Sequence, residues 1–161
     1  MVSMHAAPGL VTIVEDDAAM RRSLERLLQA SGYATSSFAS AEDFLRAGVD
    51  ESAIGLVLDV HLGGMSGVEL YRRLSAAGST LPVVFITAYD EESTRREAGA
   101  VGCVDYMQKP FDARRLIDAL EPVALVILGD FLHAREAHAP STLAALAAWR
   151  GRHAQLAIVL V

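Results

Sequence analysis

Five times in its first 120 residues the chain passes from a short apolar run to a segment of helical period, and that alternation admits few folds. Leu10 to Val14 leads into a helix with Met20, Leu24, Leu27 and Leu28 on one face, ended by Gly32. Tyr33 to Phe38 reads as a weaker second strand. Ser40-Ala-Glu-Asp43 then has the form of a capping box, opening a helix that carries Phe44 and Leu45 and closes at Gly48. Gly55 to Val60 is apolar except for Asp59, the pattern of a strand covered on both faces. Gly63, Gly64 and Gly67 mark the loop after it, and a third helix runs to Gly78. Pro82 to Ile86 is the fourth strand, Asp90 to Ala98 a short polar helix, Val104 to Met107 the fifth strand and Asp112 to Leu120 the fifth helix. Strands that alternate with helices pair in parallel through right-handed crossovers. The expected class is α/β, a doubly wound five-stranded parallel sheet.

In such sheets ligands bind beyond the carboxyl ends of the strands, where the winding reverses. The polar residues expected there are Glu15, Asp16 and Asp17 after the first strand, Asp59 ending the third, Thr87 after the fourth and Lys109 after the fifth. Carboxylates gathered on one edge repel unless positive charge lies between them. Lys109 and a divalent cation supply it. Mg2+ takes about six oxygens and keeps several waters, so one or two carboxylates plus a phosphate suit it; Mn2+ can substitute. Asp59 is then the nucleophile, attacking phosphorus to give an acyl phosphate, while Lys109 and the metal offset charge on the transferring oxygens and Thr87 hydrogen-bonds the product.

Composition removes several alternatives. With 52% hydrophobic and 21% charged residues among 161, the chain can bury a core. A net charge of -6 argues against a grip on phosphate backbones, so no direct nucleic-acid partner is expected. Cys103 is the only cysteine and is expected to be a buried thiol. No apolar run approaches the roughly 20 residues of a membrane span, and the start, MVSMHAAPGL, has no leader pattern; the expectation is a cytoplasmic protein. The five histidines have no zinc-site spacing and are expected on the surface.

The blocks "VEDDAAMRRSL", "LVLDVHLGGMSGVEL", "VVFITAY" and "VDYMQKPF" resemble those of bacterial two-component response-regulator receiver domains. The resemblance covers residues 9–120, leaving an N-terminal extension at 1–8 and a C-terminal extension of uncertain role at 121–161. It implies that Glu15 and Asp16 are the metal-binding acidic pair, Asp59 the phospho-acceptor, Thr87 the hydroxyl that reports phosphorylation, Lys109 the site lysine and Tyr106 the aromatic switch. It also implies the flavodoxin-like strand order 2-1-3-4-5, that His61 offers its backbone carbonyl to the metal and that the Lys109-Pro110 bond is cis. Its partners would be a sensor histidine kinase or phosphotransfer protein, a downstream protein target and a second copy of the chain. Such a protein is not an enzyme in the ordinary sense. It is a switch that phosphorylates itself from small phosphodonors and slowly dephosphorylates. Gly63 stands where the family usually has proline, so its loop is expected to be more flexible before metal binds.

Haloacid-dehalogenase phosphatases use similar residues but need a second Asp two positions after the nucleophile, where this chain has His61. A helix-turn-helix output is not expected, since residues 121–161 hold no basic recognition helix. That tail reads instead as β-α-β-like: apolar Val123 to Leu128, an Ala-rich helix from Ser141 to Arg150, and apolar Leu156 to Val161. Within it "VILGDFLHA" resembles the middle motif of calcineurin-like metallophosphoesterases, which would make Asp130 a metal-bridging ligand with His133 nearby in the sequence. The family's later Gly-Asn-His-Asp is absent. The alternative function is therefore an inactive or partial metallophosphoesterase fused through this tail.

Overall fold

The strands β1 (Leu10–Val14), β2 (Ala34–Phe38), β3 (Ala53–Asp59), β4 (Val83–Thr87) and β5 (Asp105–Gln108) form one sheet in the order β2-β1-β3-β4-β5, and every pair is parallel, as the alternation requires. The computed structural model describes residues 9–120 and two further short strands at 125–127 and 158–160. The chain divides into two compact units, residues 1–120 and 121–161.

Between the strands run α1 (Ala18–Ala30), α2 (Ala41–Ala47), α3 (Gly67–Ala76), α4 (Glu92–Ala100) and α5 (Ala113–Leu120). Alternate residues of each strand feed opposite faces, and two cores result. On one, Leu24 and Leu28 of α1 and Leu116 and Leu120 of α5 pack on Val11, Ile13, Val57, Val84, Ile86 and Met107. On the other, Phe44, Val68, Leu70, Tyr71, Leu74 and Ala98 from the remaining helices cover Val14, Leu56, Leu58, Val83 and Phe85. The central strands β3 and β4 are thus apolar on both sides, and each fully buried Leu, Ile or Phe stabilises the fold by roughly 1.5–3 kcal/mol.

Caps define the helix starts. Ser40 Oγ accepts from Asp43 N at 3.0 Å, and Ser66 Oγ from Glu69 N at 3.1 Å. Leu45 and Cys103 are not fully buried. α2 is only seven residues long, so Ala41 and Phe44 fill its inner face and Leu45 is left 38% exposed. Cys103, between α4 and β5, is half-buried against the core.

β1 lies between β2 and β3, so the winding reverses there and a crevice opens at the carboxyl ends. Val14 pairs with Leu58, which sets Glu15 beside Asp59; Asp59 pairs with Ile86, one residue before Thr87. In the second unit, β6 (Leu125–Ile127) and β7 (Ile158–Leu160) pair in parallel. The expected helix at Ser141 to Arg150, the motif residues Asp130 and His133, and the extension at 1–8 lie outside the described residues. No helix among the described residues is long and apolar enough to cross a membrane.

Candidate functional site

At the carboxyl edge, Lys109 Nζ reaches between two carboxylates, 2.7 Å from Glu15 Oε2 and 2.6 Å from Asp59 Oδ2. Glu15 is fully buried and Asp59 4% exposed. Burial alone would depress the lysine, but the hydrogen bonds to Asp59 and Glu15 outweigh it and its pKa is raised, so it stays an ammonium. Glu15 moves from an ordinary 4.5 to about 7. Burial is the main cause; Lys109 opposes it, and the neighbouring Asp59 adds to it. Asp16 completes a trio, with one carboxylate oxygen each from Glu15, Asp16 and Asp59 lying within 4.8 Å of one another. Three carboxylates against one ammonium leave the group short of positive charge, and Asp16's carboxylate has no hydrogen-bond or ion-pair partner among the described residues. An oxygen-only donor set with that deficit fits a hard divalent cation.

The supporting loops are tied closely. Asp17, third in the acidic run, is spent on α1: it is the N-cap, accepting from Met20 N at 2.7 Å, and that bond lowers its pKa. Glu15 Oε1 accepts from Asp17 N at 3.1 Å. Arg21 Nη1 donates to the main-chain carbonyls of Glu15 (2.6 Å) and Asp16 (3.3 Å). His61 N donates to Asp59 Oδ1 at 2.9 Å, so both oxygens of the aspartate carry a donor. Gly67 opens α3 against Asp59, where a Cβ would stand 2.1 Å from the Asp59 carbonyl oxygen; only glycine fits. Gly63 has φ +53, which proline cannot adopt, and the loop it enters is fastened at Met65, whose N–H donates to Glu42 Oε1 at 3.1 Å.

Thr87 and Tyr106 stand on the neighbouring strands. The Thr87 hydroxyl donates to the Tyr89 carbonyl (2.8 Å), accepts from Tyr89 N (3.2 Å) and lies 3.3 Å from His61 Nδ1. The His61 and Tyr89 rings meet edge to face at 5.8 Å. Tyr106, expected to move inward on switching, is already inside at 6% exposure. Its buried hydroxyl has no hydrogen-bond partner among the described residues, and burial pushes its pKa up. Arg95 forks onto Asp90 (3.1 and 2.6 Å) and lies 5.1 Å over the Tyr106 ring, a contact the sequence did not announce. The Lys109-Pro110 bond is cis. The His61 ring turns to Thr87 and Tyr89 rather than to the carboxylates. One sequence signal was overlooked. All other basic residues are arginine, and Lys109 is the only lysine in the chain.

A doubly wound sheet with this lysine and acidic trio at its carboxyl edge defines a flavodoxin-like signalling module. A family model described as "Response regulator receiver domain" matches residues 11–121, and the chain belongs to that family, whose members serve as switches in two-component signal transduction. It is 38% identical over 110 residues to the transcriptional regulatory protein FixJ of Azorhizobium caulinodans, covering 68% of this chain and 52% of that one. It is 36% identical over 112 residues to nodulation protein W of Bradyrhizobium diazoefficiens, covering 70% and 49%. The chain thus spans about half the length of these relatives. Among solved structures, FixJ-N superposes with a TM-score of 0.64 at 35% identity, over 70% of this chain and 90% of that one. The chemotaxis protein CheY4 of Vibrio cholerae, at 24% identity and TM-score 0.62, covering 71% and 97%, shares the fold.

Proposed function

We propose that the chain accepts a phosphoryl group on Asp59 from a histidine kinase or phosphotransfer protein, and that this switches a protein-interaction surface. The observation that carries the reading is Lys109 held between Glu15 and Asp59 at the reversal point of the sheet. An oxygen of the Asp59 carboxylate bonds to phosphorus as the bond from phosphorus to the donor breaks; the leaving group keeps the electron pair and takes up a proton. The ammonium of Lys109 neutralises charge on the transferring oxygens, and His61 N–H and Lys109 aim the carboxylate. Glu15, Asp16, Asp59 and the His61 carbonyl would hold Mg2+ or Mn2+, which supplies further charge neutralisation to the phosphoryl oxygens.

Phosphorylation adds charge and acceptor oxygens beside Thr87. The Thr87 hydroxyl must then leave Tyr89 to reach them, which frees the β4 to α4 loop and the space next to Tyr106. The surface of α4, β5 and α5 changes in consequence, and a target protein or a second copy reads it. The chain would also phosphorylate itself from small donors, release the group slowly, and work in the cytoplasm beside its kinase. Its whole-length relatives are named as transcriptional regulators, while no direct DNA contact is proposed for this chain.

The test is incubation with phosphoramidate and Mg2+ followed by intact mass measurement. One base-labile phosphoryl group is expected, lost in Asp59→Asn. Labelling that persists in that variant would move the acceptor elsewhere.

A further inference from the structure

We infer that Arg21 is a positioning residue for the cation site, fixing where the carboxylates of Glu15 and Asp16 stand; this rests on the reading that those carboxylates take a divalent cation. An arginine beside several carboxylates ordinarily forks onto one of them, because its planar donors match two carboxylate oxygens. Arg21 does not. One turn into α1, it sends Nη1 to the backbone carbonyls of Glu15 and Asp16 and leaves their side chains alone. No other side chain among the described residues donates to those two carbonyls. The other main-chain ties of the turn are Glu15 N to Phe38 O at 3.1 Å, Asp17 N to Glu15 Oε1 at 3.1 Å and Arg21 N to Asp17 O at 2.9 Å, none of which holds the carbonyls of Glu15 and Asp16. Arg21 therefore closes the carbonyl side, and it does so without spending a carboxylate oxygen that a cation would need.

Its charge and its grip act on cation binding with opposite signs. A guanidinium close to the site repels Mg2+, so charge removal alone would tighten binding. Loss of the grip lets the two carboxylates swing and weakens it, and losing a partner that orients metal ligands commonly costs about 10–100-fold in affinity. The direction of change separates the two.

The experiment is calorimetric Mg2+ titration of the full chain as wild type, Arg21→Ala, Arg21→Lys and Asp16→Asn, with melting in EDTA alongside. Arg21→Ala should lose about tenfold in affinity while melting as the wild type does without metal, and its phosphoryl uptake should recover at saturating Mg2+. Arg21→Lys keeps the charge but reaches one carbonyl, so it should fall between the two. Should Arg21→Ala fail to fold, Arg21→Lys decides by itself. Affinity equal to or tighter than wild type in Arg21→Ala, or equal in Arg21→Lys, overturns the inference. If Asp16→Asn weakens binding while the Arg21 variants do not, only this inference fails. If wild type and Asp16→Asn both ignore Mg2+, the cation reading fails and takes the inference with it.

Discussion

In the absence of a cation, Glu15 is a source of pH-dependent instability with an unusual sign. Its pKa is raised from 4.5 to about 7 in the fold, chiefly by burial. Between those values the folded state holds a proton that the unfolded state releases, so stability is greatest below about 4.5 and is lost as pH rises through about 7. At about 1.36 kcal/mol per pH unit, that interval sets a ceiling of about 3 kcal/mol, nearly all of it developed by pH 8. Lys109 remains charged throughout and does not alter the slope. The carboxylates with lowered pKa values, such as Asp17 and Asp43, have the opposite sign, but their stability is lost only as pH falls below about 4, outside this window. Urea unfolding in EDTA from pH 5 to 8 should therefore show wild type losing up to about 3 kcal/mol relative to Glu15→Gln, whose amide cannot ionise. Saturating Mg2+ should flatten the wild-type curve, because a bound cation selects the ionised carboxylate. Parallel curves for the two proteins in EDTA, or a wild type that gains stability with pH over this range relative to the variant, would refute the assignment of the buried proton.

Two further substitutions separate the roles of neighbouring residues. Gly67→Ala should destabilise the fold by about 2 kcal/mol or more and slow phosphoryl uptake, since its Cβ would stand 2.1 Å from the Asp59 carbonyl; a melting temperature within a degree or so of wild type would contradict it. Asp17→Ala should cost about 1 kcal/mol through the lost cap of α1 yet leave Mg2+ affinity unchanged, and calorimetry showing weakened Mg2+ binding would make Asp17 a ligand instead.

Much of the sheet was legible because its central strands are buried on both faces, so Leu56 to Asp59 and Val83 to Ile86 could be little else. Ends were less legible where no side chain marks them. The fourth helix was expected from Asp90 but starts at Glu92, since its cap Glu91 makes no side-chain hydrogen bond and Asp90 is taken by Arg95. Apolar character alone does not separate Phe44 from Leu45; in the seven-residue α2, Phe44 is buried and Leu45 exposed. Glu15, Asp16, Asp59 and Lys109 meet where strand-end logic put them. The contacts around them were silent. Arg21 acts on carbonyls, Glu42 on the Met65 amide and Arg95 on a ring, and none of these contacts leaves a pattern in residue types.

Because the sole lysine is also the cation at the centre of the site, one isotope-labelled amino acid addresses the centre and no other part of the chain. Lysine labelled with nitrogen-15 at its side chain gives a single ε-ammonium resonance, whose proton-exchange rate and shift read the two carboxylates directly. Arrival of a cation or of a phosphoryl group would register there without mutation, tag or fluorophore, so the chain carries its own spectroscopic gauge of whether the switch has been thrown.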